Sequence, residues 1–63
     1  MIKKGQVFKA FDFYHDEYWD LTALENEEDG VVKAEFEDAY IVHAQKDHDY
    51  SGNYVWCFDT GDL

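Results

Sequence analysis

Turn-forming residues interrupt this chain so often that long regular segments have no room to form. Gly5, His15-Asp16-Glu17, Asn26 to Gly30, Lys46 to Gly52 and Asp59 to Gly61 each break the apolar pattern. The runs between them are short and rich in Val, Phe, Tyr and Trp, which reads as strands. The chain has 63 residues, no proline, no low-complexity linker and no internal repeat, so residues 1–63 read as one small domain.

Val31 to Glu37 alternates most cleanly. Val32, Ala34 and Phe36 point one way, and Lys33, Glu35 and Glu37 the other. Gln6 to Tyr14 is a second strand whose alternation slips near Ala10, where a bulge would absorb the slip. Ala39 to Ala44 suits a well-covered strand. Asn53 to Phe58 sets Tyr54, Trp56 and Phe58 on one face, with Val55 and Cys57 on the other.

Tyr18 to Glu25 has two readings. As a strand it turns Trp19, Leu21 and Ala23 inward, with Asp20 and Thr22 outward. As a helix starting from an Asp16 cap it gathers Tyr18, Leu21 and Leu24, and its acidic first turn suits the dipole. That helix would end on Glu25, Glu27, Glu28 and Asp29, four charges of the wrong sign for its negative pole. We read a strand, with Glu27-Glu28-Asp29-Gly30 as a hairpin turn. A helix over 16–29, giving an α+β fold, is the alternative.

Five short strands with tight turns predict an all-β domain, a small barrel or antiparallel meander. The opening Lys3-Lys4-Gly5-Gln6-Val7-Phe8-Lys9-Ala10 resembles the first strand of SH3-like barrels. The closing Tyr54-Val55-Trp56-Cys57-Phe58-Asp59-Thr60-Gly61-Asp62-Leu63 is similar to their last strand and short turn. The resemblance implies a five-stranded SH3-like barrel and no particular function.

Few residues form a constellation for chemistry. Asp47-His48-Asp49-Tyr50-Ser51-Gly52 matches the first six positions of a calcium loop, with Asp47, Asp49 and Ser51 as the metal candidates. Position 12, which supplies a bidentate Glu in such loops, is Phe58 here, and the flanks read as strands. The same residues also make an ordinary polar turn. His15, His43, His48 and Cys57 lack the spacing of a zinc site, and His43 reads as a hydrogen-bonded, partly buried strand residue. Cys57, between Trp56 and Phe58, sits in an apolar setting that dulls a thiol. Ser51 lies near His48 in sequence without a third member. No cofactor is expected, and a chain this short struggles to enclose a substrate pocket. We therefore expect no enzymatic activity.

The charge is the remaining signal. Fifteen Asp and Glu stand against five basic residues, all Lys, for a net charge of −10. Phosphate binding needs clustered Lys and Arg, so direct nucleic-acid binding is excluded on electrostatic grounds, as is residence on an anionic membrane. No apolar run is long enough to span a bilayer. Lys3 and Lys4 lead into Gly5 and Gln6 rather than an apolar core, so no signal peptide is expected. The lone Cys57 fits a reducing compartment, and we expect a cytoplasmic protein. Acidic tails are poor in aromatics, yet this chain has five Phe, five Tyr and two Trp, so it is expected to fold.

Solubility of a small domain needs a net charge of only about 2–8. The excess here resembles, in size and charge, the small phage-encoded inhibitors and DNA mimics as a class. The expectation is an acidic inhibitor that occupies the basic surface of a nucleic-acid-handling protein, of nuclease or polymerase type. The carboxylates expected to carry this are Glu25, Glu27, Glu28, Asp29, Glu35, Glu37 and Asp38, around the 31–37 strand, with Trp19 and Tyr40 as aromatic anchors. An acidic protein-interaction module without mimicry is the alternative, and an aromatic patch in a charged rim would equally serve a homodimer.

Overall fold

Five strands follow one another in a computed structural model that describes all 63 residues. They are β1 (Val7–Asp12), β2 (Glu17–Ala23), β3 (Val31–Phe36), β4 (Tyr40–His48) and β5 (Tyr54–Phe58), followed by a 3-10 turn at Thr60–Asp62. Each strand pairs antiparallel with the next. In an up-and-down order the first and fifth strands run in the same direction, so closure between them is parallel. Phe11 pairs with Cys57 and Asp12 with Phe58, and the sheet becomes a closed barrel. The protein is an all-β five-stranded barrel of the SH3-like kind that the sequence led us to expect. No helix is long and apolar enough to cross a membrane.

The 16–29 segment is not a helix. Glu17–Ala23 pairs residue for residue with β1, from Asp12↔Glu17 to Val7↔Thr22. Leu21 and Ala23 turn into the core while Asp20 faces water. The strand thereby avoids placing four acidic residues at a helix C-terminus. The hairpin turn falls where expected and is tight at its tip. Glu28 and Val31 exchange hydrogen bonds of 2.9 and 3.0 Å across Asp29 and Gly30. Both tip residues have positive φ, 53° and 77°, the geometry that selects Asp-Gly in two-residue hairpins. The turn after β3 is less comfortable: Glu37 and Asp38 have φ of 53° and 56°, in a region where L-residues with long side chains are uncommon.

The core gathers Phe8, Ala10, Leu21, Ala23, Val32, Ala34, Phe36, Val42, Ala44 and Phe58 from the five strands, with Ile2 folded in from the N-terminal segment. Trp19 and Trp56 pack against it. Four of these core positions are Ala, and aromatic rings fill the remaining space, with Phe36 contacting Trp19 at 5.1 Å and Phe58 at 5.4 Å between centroids.

The slip in the β1 alternation is not a bulge, because the β1–β2 register is unbroken. Phe11 instead points out of the barrel and is covered there. Phe13, Tyr18 and Tyr50 surround it at centroid distances of 5.6, 5.2 and 5.1 Å. This second, external aromatic cluster buries Phe11 to 3% exposure on the barrel's outer face. The β4–β5 connection is also shorter than the sequence indicated. β4 continues through Lys46 to His48, so the loop shrinks to 49–53.

His43 departs from expectation. It is exposed and makes no side-chain hydrogen bond, because Val42 and Ala44 take the inward positions of β4 and His43 takes the outward one between them.

Candidate protein-binding surface

The barrel sorts the fifteen carboxylates sharply. Asp12 and Asp49 are buried, Glu27 and Glu35 are half-buried, and the other eleven are exposed. Lys33 Nζ lies 4.0 Å from Glu25 Oε1, and no other lysine comes within that distance of a carboxylate. Lys46 turns instead over the rings of Trp56 and Tyr54, at 5.4 and 5.8 Å. Ten of the eleven exposed carboxylates therefore have no lysine within 4.0 Å.

The carboxylates around β3 fall into two groups joined by a strand. Glu25, Glu28 and Asp29 are exposed in the loop that precedes β3. Glu37 and Asp38 are exposed in the turn that follows it. Six strand residues lie between the groups, a separation of about 20 Å. Glu35 stands between them on the outer face, opposite Thr22 on one side and Ile41 on the other.

Glu27 has a structural task. Its Oε1 accepts from the Ile2 amide at 3.1 Å, and its own amide donates to the Ile2 carbonyl at 2.9 Å. Asn26 Oδ1 takes the Lys4 amide at 2.8 Å. Together they clamp the N-terminal segment so that Ile2 reaches the core. The two aromatic candidates part company as well. Tyr40 is 49% exposed beside Asp38 and leans on Phe36. Trp19 is packed against the core, and its indole Nε1 is buried without a hydrogen-bond partner.

The two buried carboxylates, which no pattern in the sequence singled out for this role, organise the loops. Asp49 accepts from the Ser51 and Asn53 amides at 2.9 and 2.8 Å, from Asn53 Nδ2 at 3.0 Å and from the Tyr18 hydroxyl. These bonds, led by that from Tyr18, hold its carboxyl down at about 2, and the Tyr18 phenol is pushed up to about 12 by the same hydrogen bond. Asp47 Oδ1 takes the His48 amide at 2.7 Å. The Asp47–Gly52 stretch is thus a polar turn built around Asp49, and no three His, Cys, Asp or Glu side chains converge as a metal set needs.

Asp12 plays the same part at the other loop. Its oxygens accept from the Tyr14 amide at 3.0 Å, the Thr60 amide at 3.1 Å, Thr60 Oγ1 at 2.8 Å and His15 Nδ1 at 2.7 Å. Burial pushes its carboxyl up, but the bonds from His15, Thr60 and Tyr14 outweigh this and hold it below the usual range. An acid, an imidazole and a hydroxyl meet here, yet not as a nucleophilic triad. Thr60 Oγ1 lies 2.9 Å from the same Nδ1 that faces Asp12, so no second ring nitrogen is left between hydroxyl and carboxylate. The group ties the β1–β2 loop to the closing turn. Tyr14 lies over that turn, where a Cβ added at Gly61 would stand 2.8 Å from Tyr14 Cδ1.

Cys57 is buried, and that burial, with the charge of Asp47 next, pushes its thiol up. Comparison of the chain with protein-family models, with curated proteins and with solved structures finds no match in any of the three.

Proposed function

We propose that this barrel is a stoichiometric acidic inhibitor that covers the basic, nucleic-acid-binding surface of another protein. One observation carries the reading: eleven exposed carboxylates against a single lysine contact, held on a barrel 28 Å long. A duplex of that length carries about 16 phosphates. The eleven exposed carboxylates are of the same order. A rigid scaffold presents such charges without the ordering cost that a disordered acidic tail would incur on binding.

The test is affinity capture with the tagged barrel, eluting first with duplex DNA and then with salt. A nucleic-acid-binding protein released by DNA is the expected result. A partner indifferent to both would overturn the reading. With such a partner in hand, changing Glu25, Glu28 and Asp29 together to their amides is expected to weaken binding about tenfold, at roughly 0.5 kcal/mol for each exposed charge pair. A second reading, recognition without mimicry, draws on Tyr40, which is 49% exposed next to the acidic turn at Glu37 and Asp38. An aromatic ring beside exposed charges favours slow release from a protein partner.

A further inference from the structure

The barrel is closed as a ring of pairings, but its strands are staggered. β4 meets β5 only from Gln45 to His48, while its first half, Tyr40 to Ala44, has β3 on one side and no strand on the other. The direction of the free groups follows from the ladder. The Asp49 amide donates to Asn53 on the β5 side. In an extended strand every second residue shares that direction, so Asp47 and Gln45 face β5 while His43 and Ile41 face the gap. Their two N–H and two C=O groups are a short, ready-made template for another strand.

Natural edges of this kind are blunted with Lys, Pro or a bulge. Here Tyr40–Ala44 has none of these, and Ile41 is 53% exposed. The gap opens into a cleft of about 210 Å³ bordered by Ile41, His43, Asp59, Asp62 and Leu63. Its apolar walls are thus flanked by two exposed carboxylates from the closing turn. Glu35 lies across from Ile41, and Glu37 and Asp38 lie just before Tyr40. Lys33, across from His43, is directed to Glu25.

We infer that the Ile41–His43 edge receives an extended, Lys- or Arg-bearing peptide segment of the partner as an added strand. The inference deepens the acidic reading above and rests on it, because the charges around the edge select a cationic occupant. Backbone hydrogen bonds to Ile41 and His43 fix the register. Alternate side chains of the peptide then reach Asp59 and Asp62 on one flank and the Ile41–Leu63 surface on the other. A second copy of this chain is a poor occupant of the same edge, since each copy carries a net charge of −10.

The probe is a capped five-residue peptide alternating Lys and Val, compared with the same peptide N-methylated at its central residues and with a Glu-for-Lys version. Binding is read by amide resonances of the 15N-labelled barrel and by their hydrogen exchange. The expected result is that the Ile41 and His43 amides shift and become protected. The N-methylated peptide, equal in charge but without the donors, should bind about tenfold more weakly. H43K, at an exposed position without a side-chain partner, should reduce binding without lowering the melting temperature.

Equal binding of the parent and N-methylated peptides would overturn the strand addition and leave the acidic reading standing. Equal binding of the Lys and Glu peptides would overturn both. Protection of the two amides that grows with barrel concentration alone, with dimers in sedimentation, would give the edge to a second copy and overturn the peptide.

Discussion

Asp49 shows at the residue scale how a polar side chain can hold a loop to a barrel. Its hydrogen bond with Tyr18 spans 31 residues and seals the outer aromatic cluster over Phe11. The pair gives stability two pH limits. The carboxyl of Asp49 falls from 3.8 to about 2 on folding, so its contribution is present above the unfolded value and is lost as pH falls through about 2. The Tyr18 phenol rises from 10.0 to about 12, so its contribution is present below pH 10 and is lost as pH climbs through about 12. Y18F is expected to lower the melting temperature by about 4–8 °C at neutral pH and to remove the alkaline limb, as read by circular dichroism across pH. An alkaline limb that persists in Y18F would assign it to another group.

The strands, at the scale of elements, were mostly legible in the sequence, because alternation reports directly which side chains a half-buried strand turns inward. Val32, Ala34 and Phe36 of β3 are all buried as their spacing implied. The turn at Asp29-Gly30 was legible for a different reason, since few residue pairs accept two successive positive φ angles. Phe11 was not legible. Alternation assumes that the outward face meets water, and here the 49–53 loop brings Tyr50 across it from a distant part of the chain. Glu27 was illegible likewise: its partner is the Ile2 amide, 25 residues away, and no local pattern marks it. The turn at Glu37-Asp38 carries a cost that local chemistry could remove. E37G is expected to stabilise the barrel by about 1 kcal/mol, measured by denaturant titration, since Gly takes positive φ freely. A neutral or destabilising result would mean that contacts of the Glu37 side chain offset the strain.

The whole molecule behaves as a charged body about as long as the screening length of dilute buffer. That length is about 30 Å at 0.01 M salt and about 3 Å at 1 M, against a long axis of 28 Å. In dilute buffer, therefore, every exposed carboxylate feels every other across the barrel, and in molar salt each feels only its neighbours. Folding draws these charges together, so salt is expected to raise the melting temperature at pH 7, by roughly 5 °C over that range. The same salt should weaken binding of a basic partner. A melting temperature that does not rise would show that the carboxylates repel one another no more in the barrel than in the unfolded chain.

The parallel seam between β1 and β5 has a consequence in time. Phe11 waits for Cys57, and Asp12 for Thr60, 48 residues later. Nearly the whole chain must therefore be in hand before the ring can close, and little is gained until the large loop entropy has been met. Small SH3-like barrels, which must close a non-local seam of this kind, fold in milliseconds to seconds rather than microseconds. Until β5 docks, the first four strands can form only an open sheet, with Phe8, Leu21 and Phe36 in reach of water. Docking of β5 against β1 converts that sheet into a barrel in a single late step.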